Sequence, residues 1–71
     1  MAIGDPVLQR VEEALAQDSR TRDESVDVIS KQGIITLSGI VRSEKVRQAA
    51  EEIARRQPGV VKVINSLTVR G

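Results

Sequence analysis

This chain of 71 residues contains no cysteine, no histidine and no aromatic residue. Without cysteine, neither a disulfide framework nor a thiolate metal site can form. Without histidine, the commonest metal ligand and the commonest general base are missing. The absence of aromatic rings argues against a base-stacking surface for nucleic acid and against an aromatic belt at a membrane interface.

The chain also lacks an excess of charge of either sign, because 11 basic residues face 10 acidic ones and the formal net charge is +1. Such a balance creates no long-range field for nucleic acid or anionic lipid. No apolar run approaches the roughly 18 residues of a transmembrane helix. The first residues, Met1 to Asp5, show no secretory signal. As written, the sequence predicts a cytoplasmic protein, and the periplasm or cell envelope is the alternative if the chain is a domain of a longer protein.

No group of residues has the spacing of a catalytic or cofactor site. The acidic residues are scattered over predicted helix faces and loops instead of forming a dyad. The glycines at positions 33, 39 and 59 fit neither a dinucleotide-binding nor a phosphate-binding loop. The sequence therefore predicts no enzyme activity, no catalytic residue, no metal, no cofactor and no small-molecule substrate.

A β-hairpin is the central structural prediction. β-branched residues are concentrated in two runs, 25–31 and 34–41, which are joined by Gln32 and Gly33. Gly33 can adopt the positive φ that a tight turn requires, so the pattern is typical of two antiparallel strands. Gly39 lies inside the second strand, where we expect either a bulge or the close approach of a helix.

Two helices and a third strand complete a single domain over residues 1–71. Asp5 and Pro6 give the start signal of a helix, and Pro58 and Gly59 end a second helix in which apolar residues recur at helical spacing. The β-branched run that follows predicts a strand, with Val61 on its core face. These elements cover residues 5–17 (helix), 43–57 (helix) and 60–69 (strand).

The order of elements indicates the architecture. The connection from the second strand through the second helix is long enough for a right-handed crossover, which makes the second and third strands parallel neighbours. Both helices need an apolar surface, and a three-stranded sheet has room for both on one face. The sequence therefore predicts an α+β fold, a two-layer αββαβ sandwich whose three-stranded mixed sheet carries two helices on one face.

Two separated segments resemble a known family. The run Ile-Ile-Thr-Leu-Ser-Gly-Ile-Val that follows Gly33, and the run Pro-Gly-Val-Val-Lys-Val-Ile-Asn-Ser-Leu-Thr-Val that begins at Pro58, resemble the core signature and the closing segment of the BON domain (bacterial OsmY and nodulation) family. The resemblance spans about residues 6–69. It implies the αββαβ fold and a non-enzymatic module of a kind found in envelope proteins, which are credited with binding phospholipid surfaces or partner proteins.

Basic residues of the predicted helices and of the loop between them are the first candidate surface. Near an anionic phospholipid surface, each would contribute about 1 kcal/mol of binding free energy. The alternative is an ordinary solvated face, which the sequence favours because Glu51 and Glu52 can pair with arginines four residues later. The candidate lipid-contact residues are Arg10, Arg20, Arg22, Arg47, Arg55 and Arg56.

The uncovered face of the sheet is the second candidate surface. By strand alternation, it carries Ile29, Ile34, Ile40 and Ile64, which could form a contiguous apolar patch for a protein partner or for self-association. A mixed solvent-exposed face is the alternative, and an edge strand could also pair with another chain.

We predict structural roles, in turns and in packing, and no ligand contact for three glycines, Gly33, Gly39 and Gly59. A KH-like nucleic-acid binder would need a Gly-x-x-Gly clamp between helices, and the sequence contains none. Nucleic acid is therefore disfavoured as a partner.

Overall fold

The computed structural model describes residues 5–70 and contains the five elements in the predicted order. They are α1 (Pro6–Gln17), β1 (Ser25–Lys31), β2 (Ile34–Val41), α2 (Glu44–Arg55) and β3 (Lys62–Val69). The strands are arranged β1-β2-β3, with β1 antiparallel to β2 and β2 parallel to β3. The predicted α+β sandwich with a mixed three-stranded sheet is confirmed.

The turn between β1 and β2 sets the register of the sheet. Gln32 and Gly33 have φ angles of 53° and 82°, and positive values at both central residues are the signature of a type I′ hairpin turn. Lys31 consequently pairs with Ile34. The carbonyl of Gly33 also accepts a hydrogen bond of 2.7 Å from the amide of Val61. The same turn therefore fixes the position of the residue that precedes β3.

Side-chain caps define where both helices begin. The Asp5 carboxylate accepts hydrogen bonds from the amides of Val7 and Leu8, at 2.9 and 3.3 Å. The Ser43 hydroxyl accepts one from the amide of Val46 at 3.2 Å. These bonds satisfy amides that have no partner inside a helix.

Helix α2 ends at Arg55, two residues before the predicted end at 57. The amides of Arg56 and Gln57 bond to carbonyls three residues earlier, those of Ile53 and Ala54. The last turn therefore tightens ahead of Pro58, as helix ends commonly do.

One aliphatic core lies between the sheet and the two helices. Ala50 and Ala54 of α2 are fully buried, and their small side chains let the helix backbone lie close to the sheet. Both helices therefore cover the same sheet face, as predicted. The core residues are Val11, Leu15, Ile35, Leu37, Val41, Val46, Ala50, Ile53, Ala54 and Leu67.

The start of the last strand differs from the prediction. β3 begins at Lys62 instead of residue 60, and Val61, predicted on the core face, has 78% of its surface exposed. The amide of Val61 is bonded to the hairpin turn, so this residue still belongs to the loop. Strand alternation does not apply there, and the prediction for Val61 is wrong.

Gly39 is not in a bulge, so that expectation is wrong. The pairing of β1 with β2 is continuous through Gly39. A Cβ atom at this position would lie 2.7 Å from the carbonyl oxygen of Ser25 in the neighbouring strand. The close approach is thus between two strands. At Gly59, a Cβ atom would similarly come within 2.7 Å of Val7 in α1.

We predict that Gly39→Ala lowers the free energy of unfolding by about 1–3 kcal/mol, because the φ of +121° is strained for alanine and its methyl group meets the Ser25 carbonyl. Urea unfolding followed by far-ultraviolet circular dichroism measures the loss. The control Ser66→Ala lies on the exposed sheet face and changes no such contact. Equal midpoints for the two variants would contradict the prediction.

Candidate binding surface

The sheet face opposite the helices is exposed along its whole length. We call it the open face. Its members are the outward-pointing residues of the three strands, Ser25, Asp27, Ile29, Lys31, Ile34, Thr36, Ser38, Ile40, Lys62, Ile64, Ser66 and Thr68. Residues between them, such as Ile35 and Leu37, are fully buried in the core. The period of two along each strand thus separates the two faces.

The four isoleucines predicted for this face are all exposed on it. Ile29 and Ile64 lie on either side of Thr36 in one row across the three strands. They are 61% and 42% exposed, while Ile40 is 59% and Ile34 37% exposed. The row of Ile29 and Ile64 forms the centre of an apolar surface on which hydroxyl groups are interleaved.

The open face also carries three charged side chains. Lys31 and Lys62 flank Ile34 in the row nearest the hairpin turn, and Asp27 lies two rows away. None of these three charged groups forms a salt bridge with another residue in the range 5–70. Val61, in the loop just before Lys62, is also exposed at this end of the sheet.

The candidate arginines are mostly engaged by neighbouring groups. Arg10 donates to the carbonyl of Pro58 at 3.4 Å, and Arg22 forms no salt bridge within the described part of the chain. The remaining four are paired with carboxylates, which favours a solvated face over a basic patch. The pairs are Arg20–Asp18 (3.0 Å), Arg47–Glu44 (3.0 Å), Arg55–Glu51 (2.7 Å) and Arg56–Glu52 (3.2 Å).

The Asp18–Arg20 pair organises the loop after α1. The Asp18 carboxylate accepts three hydrogen bonds from Arg20, one from its amide at 2.8 Å and two from its guanidinium at 3.0 Å each. These bonds lower the pKa of Asp18 from 3.8 to about 2. Arg20 also approaches Glu52 of α2 at 3.8 Å. The pair thereby connects the loop to the second helix.

Thr21 is a structural residue that the sequence analysis missed, because it lies in a loop that is otherwise polar. It is only 2% exposed, and its hydroxyl donates a 2.7 Å hydrogen bond to the carbonyl of Leu15. That bond satisfies a carbonyl near the end of α1. No local sequence signal distinguishes this threonine from its exposed neighbours.

Asn65, also missed, joins α2 to the outer edge of β3. Its side-chain amide donates to the carbonyl of Arg47 at 3.0 Å and to the carboxylate of Glu51 at 3.1 Å. The hydrogen bond from Asn65 lowers the pKa of Glu51. A polar residue where strand alternation places an apolar one was the available signal.

The described residues offer no sign of a metal site or a membrane span. Within residues 5–70, no group of three or more His, Cys, Asp and Glu side chains is placed to hold a metal ion. No helix in that range is long and apolar enough to cross a bilayer.

Comparison with protein-family models gives a match. The model of the BON domain family matches residues 5–71, a range that includes all five elements. No curated protein matches the chain. The match agrees with the resemblance seen in the hairpin and closing segments.

We predict that Asp18→Asn makes the protein less sensitive to acid. A carboxylate whose pKa is lower in the folded state stabilises the fold above its unfolded pKa, and this contribution is lost as the pH falls from about 4 towards 2. The free energy of unfolding, measured by urea titration from pH 6 to pH 2, should fall less in the variant than in the wild type. Asp23→Asn is the matched control, since exposed Asp23 has no salt-bridge partner among residues 5–70. Parallel pH curves for Asp18→Asn and the wild type would contradict the assignment.

Proposed function

This chain belongs to the BON domain family, a family of non-catalytic binding domains, and we propose that it associates with a protein partner through the open face. The observation that carries the proposal is the row in which Ile29 and Ile64 stand exposed on both sides of Thr36. Single exposed isoleucines are ordinary on protein surfaces, whereas a contiguous apolar surface typically marks an interaction site.

The open face has properties that favour a protein as its occupant. Its backbone is already ordered by the sheet, so binding costs little backbone conformational entropy. The hydroxyl groups of Thr36 and Ser38 lie among the isoleucines and can pair with polar groups of the partner. Lys31 and Lys62 favour a partner whose apolar surface has acidic groups at one end.

We predict that Ile29→Ser combined with Ile64→Ser abolishes partner binding, because it removes the apolar centre of the open face. A photo-crosslinking amino acid at position 36 of the otherwise wild-type chain, in bacterial cells, should give a defined protein adduct. The same probe in the double variant should give none.

Two controls locate the contact. Val61→Ser also removes an exposed aliphatic side chain, but outside the strands, and should retain the adduct. The probe at position 13, on the exposed side of α1, should not give the same adduct. No adduct from position 36, or one that the double variant leaves unchanged, would refute the proposed contact.

Contact with an anionic phospholipid surface is the second candidate function, and the hairpin end of the open face favours it. Lys31 and Lys62 lie beside Ile34 and close in sequence to exposed Val61, and neither lysine forms a salt bridge within residues 5–70. Each lysine would contribute about 1 kcal/mol near an anionic surface. The paired arginines of the helical layer support this function less well.

We predict that, if this second function operates, the wild type pellets with phosphatidylglycerol vesicles at low salt, and that Lys31→Glu with Lys62→Glu abolishes pelleting. Reversing both charges turns attraction to the anionic surface into repulsion. Arg55→Gln with Arg56→Gln, the matched double variant on α2, should pellet like the wild type. Absence of wild-type pelleting would exclude lipid contact and leave the protein-binding proposal intact.

A further inference from the structure

We infer that β1 pairs antiparallel with β1 of a second copy of this chain, so that two three-stranded sheets become one continuous sheet. This inference concerns an edge of the sheet and goes beyond the function proposed for its face. It rests on a difference between the two edge strands, β1 and β3, and on the charges that β1 carries.

The outer edge of β3 is covered by side chains at Leu67. The amide of Leu67 donates to the side-chain oxygen of Asn65 at 3.1 Å, and the carbonyl of Leu67 accepts from the guanidinium of Arg47 at 3.3 Å. Both backbone groups that a further strand would need at Leu67 are therefore occupied. Asn65 is itself held by the carbonyl of Arg47 and by Glu51. Side-chain cover of this kind protects an edge from strand addition.

The outer edge of β1 has backbone groups without a partner among residues 5–70. A type I′ turn closes on a hydrogen-bonded pair, here Lys31 and Ile34, and such pairs alternate along an antiparallel ladder. The backbone groups of alternate residues back to Ser25 therefore face β2. The position of Gly39 agrees, since a Cβ atom there would meet the carbonyl oxygen of Ser25 at 2.7 Å and the amide nitrogen of Asp27 at 3.8 Å.

Between the residues that bond to β2 lie Val26, Val28 and Ser30. Their backbone groups point away from β2, to the outer edge of the sheet. No side chain within residues 5–70 forms a hydrogen bond with the backbone of β1. An open groove between α1 and this edge is lined by the side chains of Val26 and Val28 and by Leu15 and Thr21. Among residues 5–70, the amides and carbonyls of Val26, Val28 and Ser30 thus have no partner and are available to another strand.

The charges of β1 favour antiparallel pairing with β1 of a second copy in one particular register. When β1 pairs with its own copy around Ile29, Asp27 lies opposite Lys31 of the second copy, and symmetry produces this pair twice. Ile29 lies opposite Ile29. These are non-hydrogen-bonded pairs, whose Cα atoms are only about 4.5 Å apart, so the opposite charges lie close together. Val28 and Ser30 form the hydrogen-bonded pairs.

The neighbouring registers lack this complementarity. Pairing around Val28 would set Asp27 against Ile29 of the second copy, and pairing around Asp27 would set two like charges against each other. Like charges directly opposite are destabilising. In the register around Ile29, by contrast, every charged group of the strand has an opposite charge across the junction. The two open faces then lie side by side, with their Ile29 side chains in contact.

Charge reversal tests this register by sedimentation equilibrium of the complete chain at low salt. The wild type should show a concentration-dependent monomer–dimer equilibrium. Asp27→Lys and Lys31→Glu should each weaken dimerisation by about tenfold or more, because each turns two attractive pairs into two repulsive ones. An equimolar mixture of the two variants should dimerise like the wild type, since each substituted position then faces an opposite charge.

The mixture also guards against a trivial loss of folding, because unfolded variants would not restore the dimer. Lys62→Glu reverses a lysine of the same face at the opposite edge and should leave dimerisation unchanged. Three results would overturn the inference. The first is a wild type that is monomeric at about 1 mM, where an interaction of even about 4 kcal/mol is visible. The second is a mixture that stays monomeric although both variants have the circular dichroism spectrum of the wild type. The third is a Lys62→Glu variant weakened as much as Lys31→Glu. Ile29 belongs to both surfaces, so the edge is tested by the charge reversals, which leave the isoleucines of the open face unchanged. An adduct from position 36 supports the proposed function only when it contains a protein other than a second copy of this chain.

Discussion

The packing of α2 against one face of the sheet is the interaction on which the rest of this structure depends. Ala50 and Ala54 let the helix backbone lie close to β2 and β3, and Leu67 of β3 joins the same core. A chain of 71 residues without a single aromatic ring has little side-chain volume to bury. It covers one face of the sheet and leaves the other to solvent. The exposure of Ile29 and Ile64 follows directly from this one-sided arrangement.

The sequence was sufficient to predict the helices and strands and which side of the sheet the helices cover. Strand alternation, the Gln32–Gly33 turn and the cap at Asp5 are local signals, and each acts within a few residues. The fold predicted from them is confirmed. Val61 was assigned wrongly because its conformation is set by a hydrogen bond to Gly33, a residue 28 positions earlier in the chain. The alternation of side chains along a strand cannot show that a contact this distant in sequence keeps residue 61 in the loop.

The binding surface could be predicted in composition but only partly in arrangement. Alternation indicated that the isoleucines would share a face, yet the row formed by Lys31, Ile34 and Lys62 depends on the parallel register of β2 and β3. The helical pairs of α2 were predictable from their spacing of four residues. The contact of Arg20 with Glu52 and the bonds of Asn65 to α2 join distant parts of the chain. Only the assembled structure brings those groups together.

The side-chain cover over β3 has a consequence for assembly in a crowded cell. A fibril grows by strand addition only when each molecule has two sheet edges that can pair, one with the end of the fibril and one with the next molecule. At Leu67 the backbone amide already donates to Asn65, and the backbone carbonyl already accepts from Arg47. In the β1 pairing that we infer, two molecules join through one edge each and form a closed pair, so an exposed β-rich surface can coexist with a limited assembly.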